Sequence, residues 1–241
     1  ARAELQKTKT LFWLAENDAI DNPQYYQAFD ACYTWTWMHK TEDFYKKDHD
    51  INVLKTLLHN YDTTGGQKGI RLWFTTNHDE NSWNGTEYEK YGEAAKALAV
   101  FSFTWNGIPL IYSGQELPNM KRLQFFEKDV IEWNGNYQLN DFYKTLLTLH
   151  KNNPALRAGD PAVITHVLKT DHDNKVLAYL RKHENHEVLT LLNLSNDKIH
   201  CTLNGEFLSG TFTNIFTHAA TDFTASKSVD LQPWGYLVFE K

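Results

Sequence analysis

The apolar positions of this chain change texture once, near residue 160. Before that point, short continuous apolar runs alternate with longer stretches of helical spacing. Leu11–Ala15 is too short for a helix and suits a strand buried on both faces. Ala28–Trp37 is aromatic and β-branched enough to predict a second strand. Ile51, Leu54, Leu58 and Tyr61 then recur at helical spacing, ahead of a stop at Gly65-Gly66. Leu72-Trp73-Phe74 predicts a third strand, and residues 87–105 an Ala-rich helix ended by Gly107 and Pro109. Ile108–Tyr112 reads as a fourth strand. Asp141 is suited to cap a last helix that runs to Asn152-Asn153-Pro154. Buried strands alternating with helices predict a parallel sheet covered by helices. Residues 1–161 thus read as half a turn of a (β/α)8 barrel.

Beyond the Gly159-Asp160-Pro161 turn the helical spacing disappears. Val163–Leu168, Val176–Leu180, Val188–Leu194 and Tyr236–Phe239 are short strand-like runs separated by turn clusters such as Asn196-Asp197 and Asn204-Gly205. Residues 162–241 are therefore expected to form a small antiparallel β-sandwich domain.

Three of the predicted strands finish in polar groups: Glu16-Asn17-Asp18, Thr75 through Asn81, and Ser113-Gly114-Gln115-Glu116. A core strand has no packing reason to end that way, since each buried polar group needs a partner. Parallel β/α folds do have one, because their sites form at the C-terminal ends of the strands. Taken alone, the run from Thr75 is equally a solvated exit into a loop, and Glu16 a loop carboxylate paired with a neighbouring Lys or Arg. Brought together in one pocket, Glu16 and the His78-Asp79 pair would supply the two carboxylates of glycoside hydrolysis, one protonated and one ionised. The apolar approach Trp13-Leu14-Ala15 favours Glu16 as the protonated partner. Asp30 and Glu116 are further candidate pocket carboxylates, or structural acids.

Composition narrows the classes. With 41% hydrophobic and 22% charged residues the chain reads as globular. A net charge of −6 without a basic run argues against a nucleic-acid partner, and no apolar run is long enough for a membrane span. Cys32 and Cys201 could form at most one disulfide and do not make a zinc site. His183-Glu184-Asn185-His186 is one residue short of a helical zinc motif and sits in a hairpin-like turn. Eight Trp, 12 Tyr and 14 Phe suit a core first and a sugar-stacking surface second. The opening Ala-Arg-Ala-Glu-Leu-Gln-Lys reads as the last turns of a helix, with no leader pattern.

The polar ends carry a resemblance. Phe74-Thr-Thr-Asn77-His78-Asp79-Glu80-Asn81 resembles the fourth signature region of the α-amylase family, family 13 of the glycoside hydrolases. Phe12-Trp13-Leu14-Ala15-Glu16 looks like its third region, and Gly107 through Glu116 is similar to its strand-8 region. The resemblance implies barrel strands 5 to 8 followed by the family's C-terminal β domain. It implies Glu16 as general acid/base, Asp79 as the residue that stabilises the transition state, and His78 as a ligand of sugar hydroxyls. Trp83 would be a stacking platform for a neighbouring glucose or a packing residue. No protein metal site is expected in this chain. Calcium would follow from the family, with most of its ligands lying elsewhere.

The departure is as informative. The family's nucleophile, an Asp in a Gly-x-Arg-x-Asp setting on strand 4, has no counterpart, and neither has the Asp-x-x-x-Asn-His segment of strand 3. The expectation is therefore a retaining α-glucan hydrolase whose nucleophile-bearing half lies outside these residues. Alone, the chain would be inactive, and it would either pair with that missing half or be a fragment of a longer chain that carries it. A transglycosylase of the same family shares every residue quoted. A non-catalytic carbohydrate- or partner-binding fragment is the alternative from another class. A secreted, periplasmic or cell-surface location is the family expectation.

Overall fold

The computed structural model describes residues 2–48, 50–64, 69–205 and 207–241. After a short helix α1 (Arg2–Leu5), four parallel strands form one sheet in the order β1-β2-β3-β4: β1 (Leu14–Asp18), β2 (Ala31–Tyr33), β3 (Ile70–Trp73) and β4 (Ile108–Pro109). Leu14 pairs with Ala31, Cys32 with Arg71 and Leu72 with Ile108, so each new strand adds beside the previous one. Between them lie α2 (Tyr25–Ala28), then α3 (Trp35–Asp43), a π-helical turn and α4 (Ile51–Thr63). They are followed by α5 (His78–Trp83), α6 (Glu87–Tyr91) and α7 (Ala95–Thr104), and α8 (Asn140–Asn152) follows β4. This is the half barrel that the alternation predicts.

Several predicted elements are corrected. The first strand does not cover Leu11–Ala15 buried on both faces. It is Leu14–Asp18, with Phe12 and Leu14 exposed, because β1 is an edge strand paired only with β2. The second strand keeps three residues of Ala28–Trp37, and Trp35 already opens α3. Aromatic strand propensity yields there to tertiary capping: the Asp18 carboxylate accepts from Thr36 N at 2.8 Å and from Tyr61 Oη, placing a negative charge at the start of α3. The long helix predicted over 87–105 breaks at Gly92, whose φ is +47°. Strand β4 stops at Pro109 rather than Tyr112, and Asp141 lies in the first turn of α8 rather than at its cap. The α4 positions Ile51, Leu54, Leu58 and Tyr61 are all buried as predicted, whereas Gly65-Gly66 lies outside the described residues.

The second sheet has eight antiparallel strands in the order β10-β9-β12-β7-β6-β5-β8-β11. Its centre is the hairpin of β6 (Val176–His183) and β7 (His186–Asn193), flanked by β5 (Ile164–Thr170) and β12 (Tyr236–Glu240). The remaining strands are β8 (Ile199–Asn204), β9 (Thr211–Asn214), β10 (Ala220–Asp222) and β11 (Ser228–Leu231). The turn at Glu184-Asn185 closes that hairpin, so His183 and His186 face each other as paired strand residues and not as a zinc motif.

Both faces of the central hairpin are buried. Val176, Ala178, Leu180, Leu189 and Leu191 meet Ile199, Leu203, Phe212, Phe223 and Leu231 in one core. Leu177, Tyr179, Val188 and Leu192 join the barrel helices in a larger one. Helix α7, buried at every position except Lys96, packs between the two sheets. Phe101 of α7 stacks on Trp37 at 4.3 Å, and Trp105 meets Tyr179 edge-on at 4.7 Å. Much of the aromatic excess is therefore core packing that locks the two sheets together. Cys32 and Cys201 are buried and free, in separate cores.

Candidate active site

Glu16 is the third residue of β1, and His78 and Asp79 open α5 directly after β3. Parallel neighbours lie about 4.8 Å apart, so β1 and β3, with β2 between, are about 10 Å apart at the backbone. A Glu and a His reaching toward each other span that gap. His78 Nε2 lies 3.6 Å from Glu16 Oε1 and 3.5 Å from Asp79 Oδ1, and one ligating atom from each residue fits within 4.8 Å of the others. The imidazole sits between two carboxylates. Such a cluster can bind vicinal hydroxyls and exchange a proton with a bound oxygen.

The turn that carries His78 and Asp79 is built by its neighbours. Asn77 caps α5, its side chain accepting from Glu80 N at 2.8 Å. Glu80 is itself buried and pairs with the equally buried Lys90 at 3.0 Å. Below them, Thr75 donates to Glu87 Oε2 at 2.6 Å, and Gln115 Nε2 reaches Glu87 at 2.8 Å and Tyr143 Oη at 3.1 Å. Burial raises the Glu87 carboxyl above its ordinary value, and the hydrogen bonds from Thr75 and Gln115 oppose that. Of the seven polar residues that follow Phe74, Thr75, Asn77, Glu80 and Asn81 are engaged in the fold, Thr76 is buried with no hydrogen-bond partner for its hydroxyl among the described residues, and His78 and Asp79 join Glu16 in the cluster.

The other predicted acids lie elsewhere. Asp30 precedes β2 at the opposite end of the sheet, accepting from Trp13 N at 2.8 Å and pairing with Arg2 at 2.6 Å. Asp18 caps α3, and Asn17 donates to Tyr25 Oη at 2.7 Å. Glu116 accepts from Gly114 N at 3.1 Å and faces a groove beside α8. The apolar wall expected around Glu16 is also missing among the described residues, since its side chain is 53% exposed and that of His78 52%. Trp83 is exposed at the C-terminal end of α5.

Sequence reasoning missed Tyr33. It ends β2 between the two strands of the cluster and stacks on Trp35 at 5.5 Å. Burial raises its phenol above the ordinary value, and the charges of Glu16 and Asp79 push the same way. Its place at the end of a strand lying between two polar-ended strands was the available signal. Calcium does not fit this cluster: that ion takes six to eight oxygen ligands, and an imidazole with two carboxylates is a different donor set.

The family model of the alpha amylase catalytic domain matches residues 13–158, and that of the maltogenic amylase C-terminal domain matches residues 165–238. The chain belongs to the α-amylase family of glycoside hydrolases. Among its relatives, alpha-amylase 2 of Dictyoglomus thermophilum is 26% identical over 64% of this chain and 28% of its own length. Alpha-amylase MalA of Haloarcula japonica is 32% identical over 52% of this chain and 18% of its own. The fold matches the maltogenic alpha-amylase AmyB of Thermotoga neapolitana with a TM-score of 0.82 at 21% identity, covering 100% of this chain and 57% of that one. It matches the alpha-amylase of Lactobacillus plantarum with a TM-score of 0.80 at 19% identity, covering 100% and 58%. The chain spans less than a third of these curated relatives and little more than half of these solved chains. No helix among the described residues is long and apolar enough to cross a membrane.

Proposed function

We propose that this chain carries barrel strands 5 to 8 and the C-terminal domain of a retaining α-glucan hydrolase that cleaves α-glucosidic bonds in starch or maltooligosaccharides. The observation that supports this most is the meeting of Glu16, His78 and Asp79, distant in sequence, at one opening of the sheet. Glu16 acts as general acid and then base at the glycosidic oxygen. Asp79 binds the sugar and stabilises the positive charge that develops at its ring. His78, held between them, donates to a sugar hydroxyl, and Trp83 stacks on a neighbouring glucose.

Retention needs a nucleophilic carboxylate on the other face of the sugar. Among the described residues no further acid joins the cluster, so that group comes from strands 1 to 4, which also hold calcium where the enzyme uses it. The 241 residues by themselves are then inactive, and joining them to the complementary half restores hydrolysis. In the joined enzyme Glu16→Gln lowers kcat by about 10²–10⁴-fold, the range for a lost general acid/base. Hydrolysis of maltooligosaccharides by the 241 residues alone, or an unchanged rate in Glu16→Gln, overturns the reading.

A further inference from the structure

The strand that carries Glu16 is irregular at that residue. Leu14 and Ala15 of β1 pair with Ala31 and Cys32 of β2, yet the next pair is Asp18 with Tyr33. Along that step β1 advances from Ala15 to Asp18 while β2 advances only from Cys32 to Tyr33, so Glu16 and Asn17 stand outside the register as a bulge. Regular alternation would send their side chains to opposite faces of the sheet. Here both are exposed, and Glu16 reaches the imidazole of His78, which opens α5 beyond β3.

A bulge interrupts the ladder, so other bonds must fix the direction in which its side chains point. Upstream, Trp13 O accepts from Asp30 N at 2.8 Å and from Ala31 N at 3.1 Å. Downstream the hold comes from Asp18. Its Oδ1 accepts from Ile20 N at 3.0 Å, and its Oδ2 accepts from Thr36 N at 2.8 Å and from Tyr61 Oη. One oxygen is thus tied to the turn after β1, and the other to α3 and α4. Burial, and then the Asp18 charge, raise the Tyr61 phenol well above its ordinary value, so it stays a donor.

Capping α3 does not by itself call for this arrangement. Thr34 stands at the N-cap of that helix but makes no cap bond, and its hydroxyl donates to Leu72 O of β3 at 2.9 Å. The cap comes instead from the second residue after Glu16, which registers the end of an edge strand against two helices. We propose that Asp18 is a positioning residue: clamped by Thr36 N and the Tyr61 hydroxyl, it fixes the bulge that aims the Glu16 carboxyl at the glycosidic oxygen. The proposal rests on the glucan-hydrolase reading and adds to it the group that keeps the acid in place. Asp18 lies outside the cluster of Glu16, His78 and Asp79, so it acts through Glu16.

The test uses the joined enzyme with two substrates, maltoheptaose and α-maltosyl fluoride. A sugar leaving group needs a proton from the acid, whereas fluoride departs without one. The kcat/KM for the fluoride, which reports steps up to the glycosyl-enzyme, therefore does not draw on Glu16 as acid. Asp18→Ala removes the clamp, Tyr61→Phe removes one donor and keeps the ring, and circular dichroism shows whether each is folded. Asp18→Ala should lower kcat/KM for maltoheptaose roughly 10- to 100-fold, the size of a misplacement of about 1 Å, and that for the fluoride by less than about threefold. Asp18→Asn, which keeps one acceptor oxygen, should recover part of the loss. Equal losses on both substrates, or a parental maltoheptaose value in folded Asp18→Ala, overturn the positioning role and leave the hydrolase reading standing. If Asp18→Ala does not fold, Tyr61→Phe decides by the same comparison. Glu16→Gln is measured alongside: an unchanged maltoheptaose rate there overturns the hydrolase reading and the positioning role with it.

Discussion

Removing the charge of Lys90 should loosen the candidate active site from below. Lys90 and Glu80 are fully buried, with side chains 0% and 4% exposed, and their charged atoms lie 3.0 Å apart. At an effective dielectric of about 20 that separation corresponds to roughly 5–6 kcal/mol of attraction. Much of this is spent on desolvation, which lowers the Lys90 ammonium below its ordinary value while Glu80 pulls the other way. Lys90→Met keeps the apolar stem but leaves Glu80 buried with Asn84 Nδ2, at 2.8 Å, as a remaining side-chain donor. The expected cost is about 3–5 kcal/mol, the range for breaking one partner of a buried pair. Glu80 belongs to the first turn of α5, so the damage should reach His78 and Asp79. Amide exchange by NMR is the assay: protection in α5 falls in Lys90→Met, and Glu80→Gln/Lys90→Met recovers most of it, because a neutral pair needs no counter-charge. A single variant within about 1 kcal/mol of the parent, or a double variant as unstable as the two singles added, would refute the reasoning.

Two further outcomes follow from local geometry. Arg122 holds the Glu89 carboxyl down at about 2, below its ordinary range, so this pair's contribution is fully present above about 4.5 and is lost as pH falls from there toward about 2. Exchange of the Leu123 and Gln124 amides should accelerate across that window; an identical acid profile in Glu89→Gln would show that the pair does not hold the loop. At Gly107, φ is +151° and a Cβ would stand 2.3 Å from the Arg71 carbonyl oxygen, a backbone atom that cannot swing away. Gly107→Ala should therefore cost more than about 1–3 kcal/mol in chemical denaturation, and a neutral substitution would mean that β3 and β4 can separate freely.

The sequence by itself determined the fold class and three of the residues that meet in the cluster. Alternating buried runs and helical spacing gave a half barrel, and short runs between turn clusters gave the antiparallel domain; both patterns come from local periodicity, which the chain carries in its order of residues. Glu16, His78 and Asp79 stood out because polar groups at the end of a buried strand have no packing reason to be there. What the tertiary structure alone decided was which polar residues serve the fold. Asp18, Glu80 and Glu87 look like their neighbours in sequence, yet each is consumed by a cap or a buried partner contributed by another element. It also decided that Trp35-Thr36-Trp37 is helical, since the Asp18 carboxylate that caps that turn is set on another strand. The setting of Phe125 and Phe126 beside His78 depends on Asn81 and Glu89 gripping a loop some 40 residues further along. Local propensity is written in short windows of sequence, whereas desolvation and hydrogen-bond satisfaction are settled only when remote groups arrive, and it is those that separate a functional carboxylate from a structural one.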